Sequence, residues 1–206
     1  VIETQLRPTG SRVAAIVAGA SLSYEIGIAG RHWVTNSLAV LAVVEAIGGG
    51  VARAAQALAE VRAPEGRGAR RRVHVRGSPF ELIDESYNAS PVSMEAALAV
   101  LGQVPVSGDG RRVAVLGDML ELGADAAARH AELADTLKEH GIDLVFTAGS
   151  GMAHLWNALP APLRGGHATD SSTLTPLVTA NVGPGDVVMV KGSAGSRMGV
   201  IVHALT

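Results

Sequence analysis

The sequence has 206 residues, of which 48% are hydrophobic and 17% charged, so it can bury a core and is excluded from the disordered class. Its formal net charge of −2 gives no reason to expect nucleic acid or an anionic membrane as a partner. It contains no cysteine, which excludes disulfides and thiolate metal sites, and no apolar run is long enough to span a membrane. Because the start also lacks the layout of a signal peptide, we expect a soluble cytoplasmic protein without membrane insertion.

Residues 1–62 predict two strands followed by two helices. The strand-like segments are RVAAIVAG and SLSYEIGIAG, and the helix-like segments are VTNSLAVLAVVEAIG and VARAAQALAEV. Two strands and two helices make a poor domain alone, because so small a sheet has little to cover it. The simplest expectation is that residues 1–62 are the end of a larger domain. The Pro/Gly/Arg-rich stretch APEGRGARRR, residues 63–72, is the expected linker.

From residue 73 onward, strand-like and helix-like segments alternate. The apolar runs FELID, RRVAVLG, IDLVFTAG and GDVVMVKGS read as buried strands, and helical patterns separate them. The first helix is well signalled, with Ser90 as N-cap and Pro91 at the first helical position. Its expected buried face comprises Met94, Ala97, Leu98 and Leu101. This alternation predicts an α/β domain with a Rossmann-like, doubly wound and mainly parallel sheet.

The segment LIDESYNASP, residues 82–91, crowds polar side chains just past the first of these strands. Asp84 and Glu85 supply acceptors, for example for ribose hydroxyls, and Ser86, Tyr87 and Asn88 supply directional donors and acceptors. On spacing alone, an equally good interpretation is that Asp84 and Ser90 act as caps and that the other polar side chains belong to a solvated loop. Two further strand ends carry VLGDMLELG and VKGSAGSR, however, and three such ends in one sheet favour a shared cleft.

Other familiar motifs are missing from the sequence. It has no phosphate-binding loop, no HExxH and no GxSxG, and TAGSGMAH lacks the third glycine of a dinucleotide fingerprint. In GRHWVTNSLAV, His32 and Asn36 are four residues apart and can share one helical face, where an asparagine can pair with an adenine edge. The alternative is a first helical turn that hydrogen-bonds its own backbone.

Together these segments resemble the Mur ligase family. The chain carries GRHWVTNSLAV, IDESYNASPVSMEAAL, VLGDMLELG and VKGSAGSRM in the family's order and at suitable separations, from about residue 30 to the C-terminus. The match is best to members that add D-Ala-D-Ala during peptidoglycan synthesis. Trp33 and Ala194 depart from the family pattern, which has Asn and Arg at those places. The resemblance implies the tail of a central ATP-binding domain in residues 1–62 and a C-terminal Rossmann-like domain in residues 73–206.

The activity that the resemblance implies is ATP-dependent ligation of D-Ala-D-Ala to a UDP-N-acetylmuramoyl-tripeptide through an acyl phosphate, for cell wall biosynthesis. The main catalytic residues and the Mg²⁺ ligands of the family would lie upstream, so we expect a fragment that is inactive alone. The full-length protein is expected to be cytoplasmic and monomeric. A stand-alone nucleotide- or ligand-binding Rossmann-type module without catalysis, or a non-catalytic scaffold, remains the alternative.

The resemblance also implies roles for individual residues. The expected ATP-binding residues are His32, Asn36, Arg67 and Glu85. The expected contacts on the D-Ala-D-Ala side are Ser86, Tyr87, Asn88, Lys191, Ser193, Ser196 and Arg197.

Overall fold

The computed structural model of the protein describes residues 1–7, 9–75 and 78–206. The chain divides into two compact units, Val1–Ala63 and Pro64–Thr206. Within the described residues, no helix combines the length and apolar character needed to cross a membrane.

The first unit holds a three-stranded antiparallel sheet and two helices. The strands are β1 (Glu3–Arg7), β2 (Gly10–Val17) and β3 (Ala20–Ile26), in that order, and the helices are α1 (Arg31–Ala46) and α2 (Val51–Ala57). The turn between β2 and β3 consists of Ala18 and Gly19, both with positive φ, as in the two-residue hairpins that match strand twist. The sequence predicted two strands here; β1 escaped prediction because ETQLR has few apolar residues.

One face of this sheet forms the core of the first unit. Along β2, Val13 and Ala15 are fully buried, whereas Arg12 before them and Ile16 after them are exposed. The buried residues of β3, α1 and α2 that pack with them are Tyr24, Ile26, Val34, Leu41 and Ala55. One face of the sheet is therefore covered by the helices of its own unit.

The second unit is built on a six-stranded sheet. Its strands are β4 (Ala69–Val75), β5 (Ser78–Glu85), β6 (Arg112–Gly117), β7 (Leu144–Ala148), β8 (Arg164–Ala168) and β9 (Val187–Lys191). The spatial order is β4-β5-β9-β6-β7-β8, with β4 antiparallel at one edge and the other five strands parallel. Its helices are α3 (Pro91–Gln103), α4 (Ala126–Glu139), α5 (Met152–Ala158), α6 (Ser171–Asn181) and α7 (Gly199–Leu205). The predicted doubly wound, mainly parallel sheet is confirmed.

Helices cover both faces of this sheet. In β9, Val187 and Met189 pack on the face that carries α3, α4 and α5, and Val188 and Val190 pack on the face that carries α6 and α7. The five β9 residues are all buried, as expected for a central strand of a parallel sheet. The predicted start of α3 is confirmed, because the Ser90 side chain accepts from the Ser93 N–H in a capping box.

Two strands of this sheet differ from the prediction. Residues 63–72 were predicted as a linker, but β4 begins within this range, at Ala69. The Arg70 side chain forms an ion pair with Glu81 of β5. Strand β8 was not predicted, since RGGHA lacks an apolar run. Its Gly165 lies against the Phe146 ring of β7, where an added Cβ would come within 2.7 Å of the ring.

Candidate functional site

The candidate site lies at the carboxyl edge of the six-stranded sheet. Strand β9 sits between β5 and β6, yet β5 and β6 lead into helices on one face and β9 leads into α7 on the other. Neighbouring parallel strands whose connections diverge to opposite faces leave a crevice beyond their carboxyl ends. The sequence segments that follow β5, β6 and β9 therefore meet at this crevice.

Asp84 holds the turn after β5 against the segment before β4. Its buried carboxylate accepts hydrogen bonds from the Gly66 N–H at 3.0 Å, the Ser86 N–H at 3.1 Å and the Ser86 hydroxyl at 2.6 Å. Its backbone oxygen accepts from the Gly68 N–H at 2.8 Å. Three donors within the fold occupy the carboxylate. The structure thus gives Asp84 internal partners, and the side chain of the next acid, Glu85, is 16% exposed.

Glu85 forms an ion pair with a lysine from the neighbouring strand. The Lys191 ammonium lies 3.4 Å from Glu85 Oε2 and donates to the Asn88 carbonyl oxygen at 2.9 Å. Burial raises the pKa of the Glu85 carboxyl above its ordinary value, and Lys191 offsets part of that rise. Burial likewise lowers the pKa of Lys191, and Glu85 offsets part of that fall. Glu85 and Lys191 therefore form a partly desolvated ion pair at the carboxyl ends of β5 and β9.

Beside this pair, the turn after β5 presents exposed side chains. The Arg67 guanidinium lies 4.1 Å from the centroid of the Tyr87 ring, a cation–π contact within the second unit. Tyr87 is 54% exposed. The Asn88 side-chain oxygen accepts from the Ala89 N–H at 2.9 Å. Arg67 and Tyr87 thus form an accessible planar and cationic surface next to Glu85.

Ser193 joins three strand ends rather than facing solvent. Its hydroxyl accepts from the Leu120 N–H at 3.0 Å and donates to the Ala89 carbonyl oxygen at 3.3 Å, so it links the segments after β6, β5 and β9. Ser196 donates to the Ser193 carbonyl oxygen at 2.6 Å within a short 3₁₀ turn. These contacts rigidify the segment that follows β9.

Arg197 lies between two cavities at this edge. It is exposed and adopts the left-handed conformation, with φ of 53°, which side chains rarely take without local restraint. One cavity, of about 470 Å³, is lined by residues that include Asp84, Ser86, Tyr87, Ala194 and Arg197. The other, of about 390 Å³, is lined by residues that include Asp118, Ser150, His167, Asp170, Ser196 and Arg197. Arg197 is therefore placed to reach a ligand in either cavity.

The second cavity contains groups that the sequence analysis did not single out. The Asp118 carboxylate accepts from the Gly151 and Met152 N–H groups at 3.2 and 2.7 Å, at the start of α5. His167 comes from β8, and its Nδ1 lies 2.9 Å from the Thr147 hydroxyl. Asp118 was signalled by its place in VLGDMLELG, directly after a strand. His167 had no such signal, because its strand was not predicted.

A buried histidine shapes the segment after β6. The Met119 N–H donates to His130 Nε2 at 3.0 Å, so the ring proton is on Nδ1, which donates to the Ala126 carbonyl oxygen at 2.6 Å. His130 is 1% exposed. It supports the backbone of VLGDMLELG and does not line the crevice.

The remaining predicted residues belong to the first unit. His32 and Asn36 are both exposed and lie four residues apart in the first half of α1, so they share one helical face as predicted. The His32 and Trp33 ring centroids are 5.5 Å apart. The structure therefore groups Arg67, Glu85, Ser86, Tyr87, Asn88, Lys191 and Ser193 in the second unit, and His32 with Asn36 in the first.

Comparison with known proteins points to one family. The profile described as "Mur ligase, glutamate ligase domain" matches residues 70–194. Curated relatives named UDP-N-acetylmuramoyl-tripeptide–D-alanyl-D-alanine ligase include the Mycobacterium bovis protein, which is 32% identical over 205 residues covering 90% of this chain and 40% of the relative. The Escherichia coli protein is 32% identical over 188 residues, covering 90% of this chain and 39% of the relative. The chain thus spans about 40% of the length of these relatives.

Solved structures show the same fold. The UDP-N-acetylmuramoylalanyl-D-glutamyl-2,6-diaminopimelate–D-alanyl-D-alanyl ligase from Acinetobacter baumannii has a TM-score of 0.81 at 24% identity, covering 99% of this chain and 43% of that chain. The MurF ligase from Thermotoga maritima, solved in complex with ADP, has a TM-score of 0.77 at 21% identity, covering 98% of this chain and 44% of that chain. At these identities the likeness establishes the fold alone.

Proposed function

The chain belongs to the Mur ligase family, as its motifs predicted, and we propose that it is the C-terminal part of an ATP-dependent ligase that joins D-Ala-D-Ala to a UDP-N-acetylmuramoyl-tripeptide. The observation that carries this proposal is the 32% identity, over 90% of the chain, to curated ligases of that name. In this proposal residues 1–62 are the tail of the central ATP-binding domain. The second unit, Pro64–Thr206, is the C-terminal domain, and the protein acts as a cytoplasmic monomer in cell wall synthesis.

The proposed reaction makes an amide bond in two steps. ATP phosphorylates the terminal carboxylate of the tripeptide, which gives an acyl phosphate, and the free amine of D-Ala-D-Ala then attacks the acyl carbon and expels phosphate. Such a reaction needs reactants held in line and developing negative charge neutralised. This chain would contribute positioning at the carboxyl edge of its six-stranded sheet.

Mg²⁺ would neutralise the phosphates of ATP in this reaction. In residues 1–7, 9–75 and 78–206, no group of three or more His, Asp or Glu side chains is arranged to hold a metal ion. Glu85, the acidic residue at the end of β5, is already paired with Lys191. We therefore assign no residue of this chain to the metal.

On the nucleotide side we propose Glu85 and Arg67, together with His32 and Asn36 of the first unit. An ionised carboxylate accepts hydrogen bonds from both ribose hydroxyls, and such charge-assisted bonds contribute about 1.5–3 kcal/mol each. The exposed Arg67 guanidinium beside Tyr87 offers positive charge on the same surface. Asn36 has the donor and acceptor that an adenine edge requires.

On the dipeptide side we propose Ser86, Tyr87, Asn88, Ser196 and Arg197. Arg197 is the strongest of these candidates, because it is exposed, it lines both cavities and a guanidinium binds a carboxylate with two parallel hydrogen bonds. Lys191 and Ser193 were predicted to contact the dipeptide directly. Both are buried and engaged within the fold, so their proposed contribution is to shape the cavity walls.

A phosphate-release assay on the intact protein tests this function. We expect release that requires ATP, the UDP-linked tripeptide and D-Ala-D-Ala together, with L-Ala-L-Ala as the matched control that supports no turnover. The purified 206-residue chain should release no phosphate under the same conditions. Nucleotide binding without release in the intact protein would instead identify a non-catalytic binding module and contradict the proposal.

A further inference from the structure

Lys191 occupies an unusual position for a lysine at a strand end. It is the last residue of β9 and only 3% exposed, whereas Lys138, the other lysine of the sequence, has a side chain that is 49% exposed. Burying an ammonium group costs free energy unless charges and hydrogen bonds compensate it. The compensating groups are Glu85 Oε2 at 3.4 Å and the Asn88 carbonyl oxygen at 2.9 Å.

These two partners belong to one short turn on the neighbouring strand. Strand β9 pairs with β5 in parallel, with Glu85 opposite Lys191 in register. The same ammonium therefore fixes a side chain at the end of β5 and a backbone carbonyl three residues later. An ammonium has three N–H donors, and at least two of them point into the protein. A residue held in this way orients its neighbours more readily than it contacts a ligand.

We propose that Lys191 is a positioning residue, which holds the Glu85 carboxylate and the turn of residues 86–89 in the geometry that receives a nucleotide ribose. This inference rests on the proposed function, in which Glu85 accepts hydrogen bonds from the ribose hydroxyls. It moves Lys191 from the dipeptide side of the site to the nucleotide side. The proposal also gives a reason for burying a charged lysine at the carboxyl edge of the sheet, although burial of the ammonium group costs free energy.

The charges around Glu85 support the proposal and give it a pH signature. Glu85 is faced by Lys191 from β9, by Asp84 from its own strand and by Arg67 from the segment before β4. Burial raises the pKa of Glu85, and Lys191 is the largest of the influences that lower it. Removing the lysine charge should therefore raise the pKa of Glu85 further. ATP affinity, which needs the ionised carboxylate, should then begin to fall at a higher pH during acidification.

Calorimetric titration of ATP into the intact protein tests the proposal, with the variants Lys191→Met, Lys191→Arg, Glu85→Gln and the Lys191→Met/Glu85→Gln double variant. Lys138→Met is the matched control for loss of a lysine. We expect Glu85→Gln and Lys191→Met each to weaken ATP binding by about tenfold or more. The double variant should bind ATP only slightly more weakly than either single variant, because each single substitution already removes the Lys191–Glu85 ion pair. Lys191→Arg should recover part of the affinity and retain the pH midpoint of the wild type.

The outcomes separate this inference from the function beneath it. If Glu85→Gln weakens ATP binding but Lys191→Met leaves both affinity and pH midpoint unchanged, the positioning role is wrong and the nucleotide site stands. If Glu85→Gln has no effect, the nucleotide site and the positioning role both fail. If Lys191→Met does not fold, the pH dependence of ATP binding by Lys191→Arg provides the test. An upward shift of its pH midpoint, despite the retained charge, would overturn the proposal.

Discussion

The two units differ in how they cover their apolar surfaces. In the second unit, helices pack on both faces of the sheet, and the apolar side chains of its central strands are buried. In the first unit, the apolar face of the sheet is covered, but Val40 and Val43 of α1 and Ile47, which follows the helix, are turned outward with exposures of 48%, 60% and 77%. These three positions share one helical face with Asn36.

The two units therefore have different folding requirements. A sheet covered on both faces contains its own core and is expected to fold independently. A helix with apolar residues on both its inner and outer sides is typical of a helix that is buried between layers. The second unit should therefore be stable alone, whereas the first should depend on further protein surface against α1.

Truncating a side chain in the core of the second unit should destabilise the protein more than any other change considered below. Leu98 of α3 is fully buried, and Leu98→Ala should lower the free energy of unfolding by about 2–5 kcal/mol. Leu177 of α6 is 42% exposed, and Leu177→Ala, the matched control, should cost about 1 kcal/mol or less. Urea unfolding of both variants measures this. Equal costs at the two leucines would show that the second unit lacks the tightly packed core described above.

The next effect concerns the buried carboxylate behind the candidate site. Asp84→Ala leaves the Gly66 and Ser86 N–H groups without their acceptor, so it should cost about 1–3 kcal/mol. Asp135→Ala, at a carboxylate with 90% exposure, should change stability by about 0.5 kcal/mol or less. Denaturant unfolding compares the two. If Asp84→Ala were as stable as the wild type, the turn after β5 would not depend on the hydrogen bonds to the Asp84 carboxylate.

A third prediction addresses the apolar face of α1. In the 206-residue chain, Val43→Ser should change stability by about 0.5 kcal/mol or less, because the side chain is already exposed. In the intact protein the same change should cost about 1.5–3 kcal/mol, the loss expected when a buried valine becomes polar. Leu41→Ala, at a fully buried position, is the control that should destabilise both forms. If Val43→Ser left the free energy of unfolding of the intact protein unchanged, the first unit would not depend on a further protein surface against α1.

The smallest effect is a pH dependence at Glu85. Its pKa in the folded state is raised, so the folded state takes up this proton at a higher pH than the unfolded chain. The wild type should therefore gain unfolding free energy relative to Glu85→Gln as pH falls through the raised pKa toward the ordinary value of about 4.3. Glu132→Gln, at an exposed glutamate, is the control. A wild type that instead loses stability relative to Glu85→Gln over this range would contradict the pKa direction.

Much of the second unit could be predicted from the sequence, because its signals are local. Ser90 and Pro91 mark the start of α3, and buried apolar runs mark β5, β6, β7 and β9. The strands that escaped prediction lie at sheet edges, where chain composition is a weak guide. β1 is polar, β4 is arginine-rich, and β8 contains the glycines that make room for Phe146.

The position of the candidate site could be predicted from the sequence, but the arrangement of its residues could not. Polar residues at strand ends predicted where it lies. Which of them face a ligand depends on β9 lying between β5 and β6, and nothing local in the sequence encodes that insertion. The adjacency of these strands turns Asp84, Lys191 and Ser193 inward. Tyr87 and Arg197 remain exposed at this edge. His167 was missed because the sequence carries no signal for β8.

We propose that the carboxyl edge of this sheet binds the nucleotide and the dipeptide of a ligase through different residues. Calorimetric titration of ATP and of D-Ala-D-Ala into the intact protein tests it most directly, using Glu85→Ala and Arg197→Gly, since glycine tolerates the left-handed conformation at 197. We predict that Glu85→Ala weakens ATP binding by about tenfold and spares the dipeptide, and that Arg197→Gly weakens dipeptide binding by about tenfold. Unchanged affinities for both ligands in both variants would contradict the account.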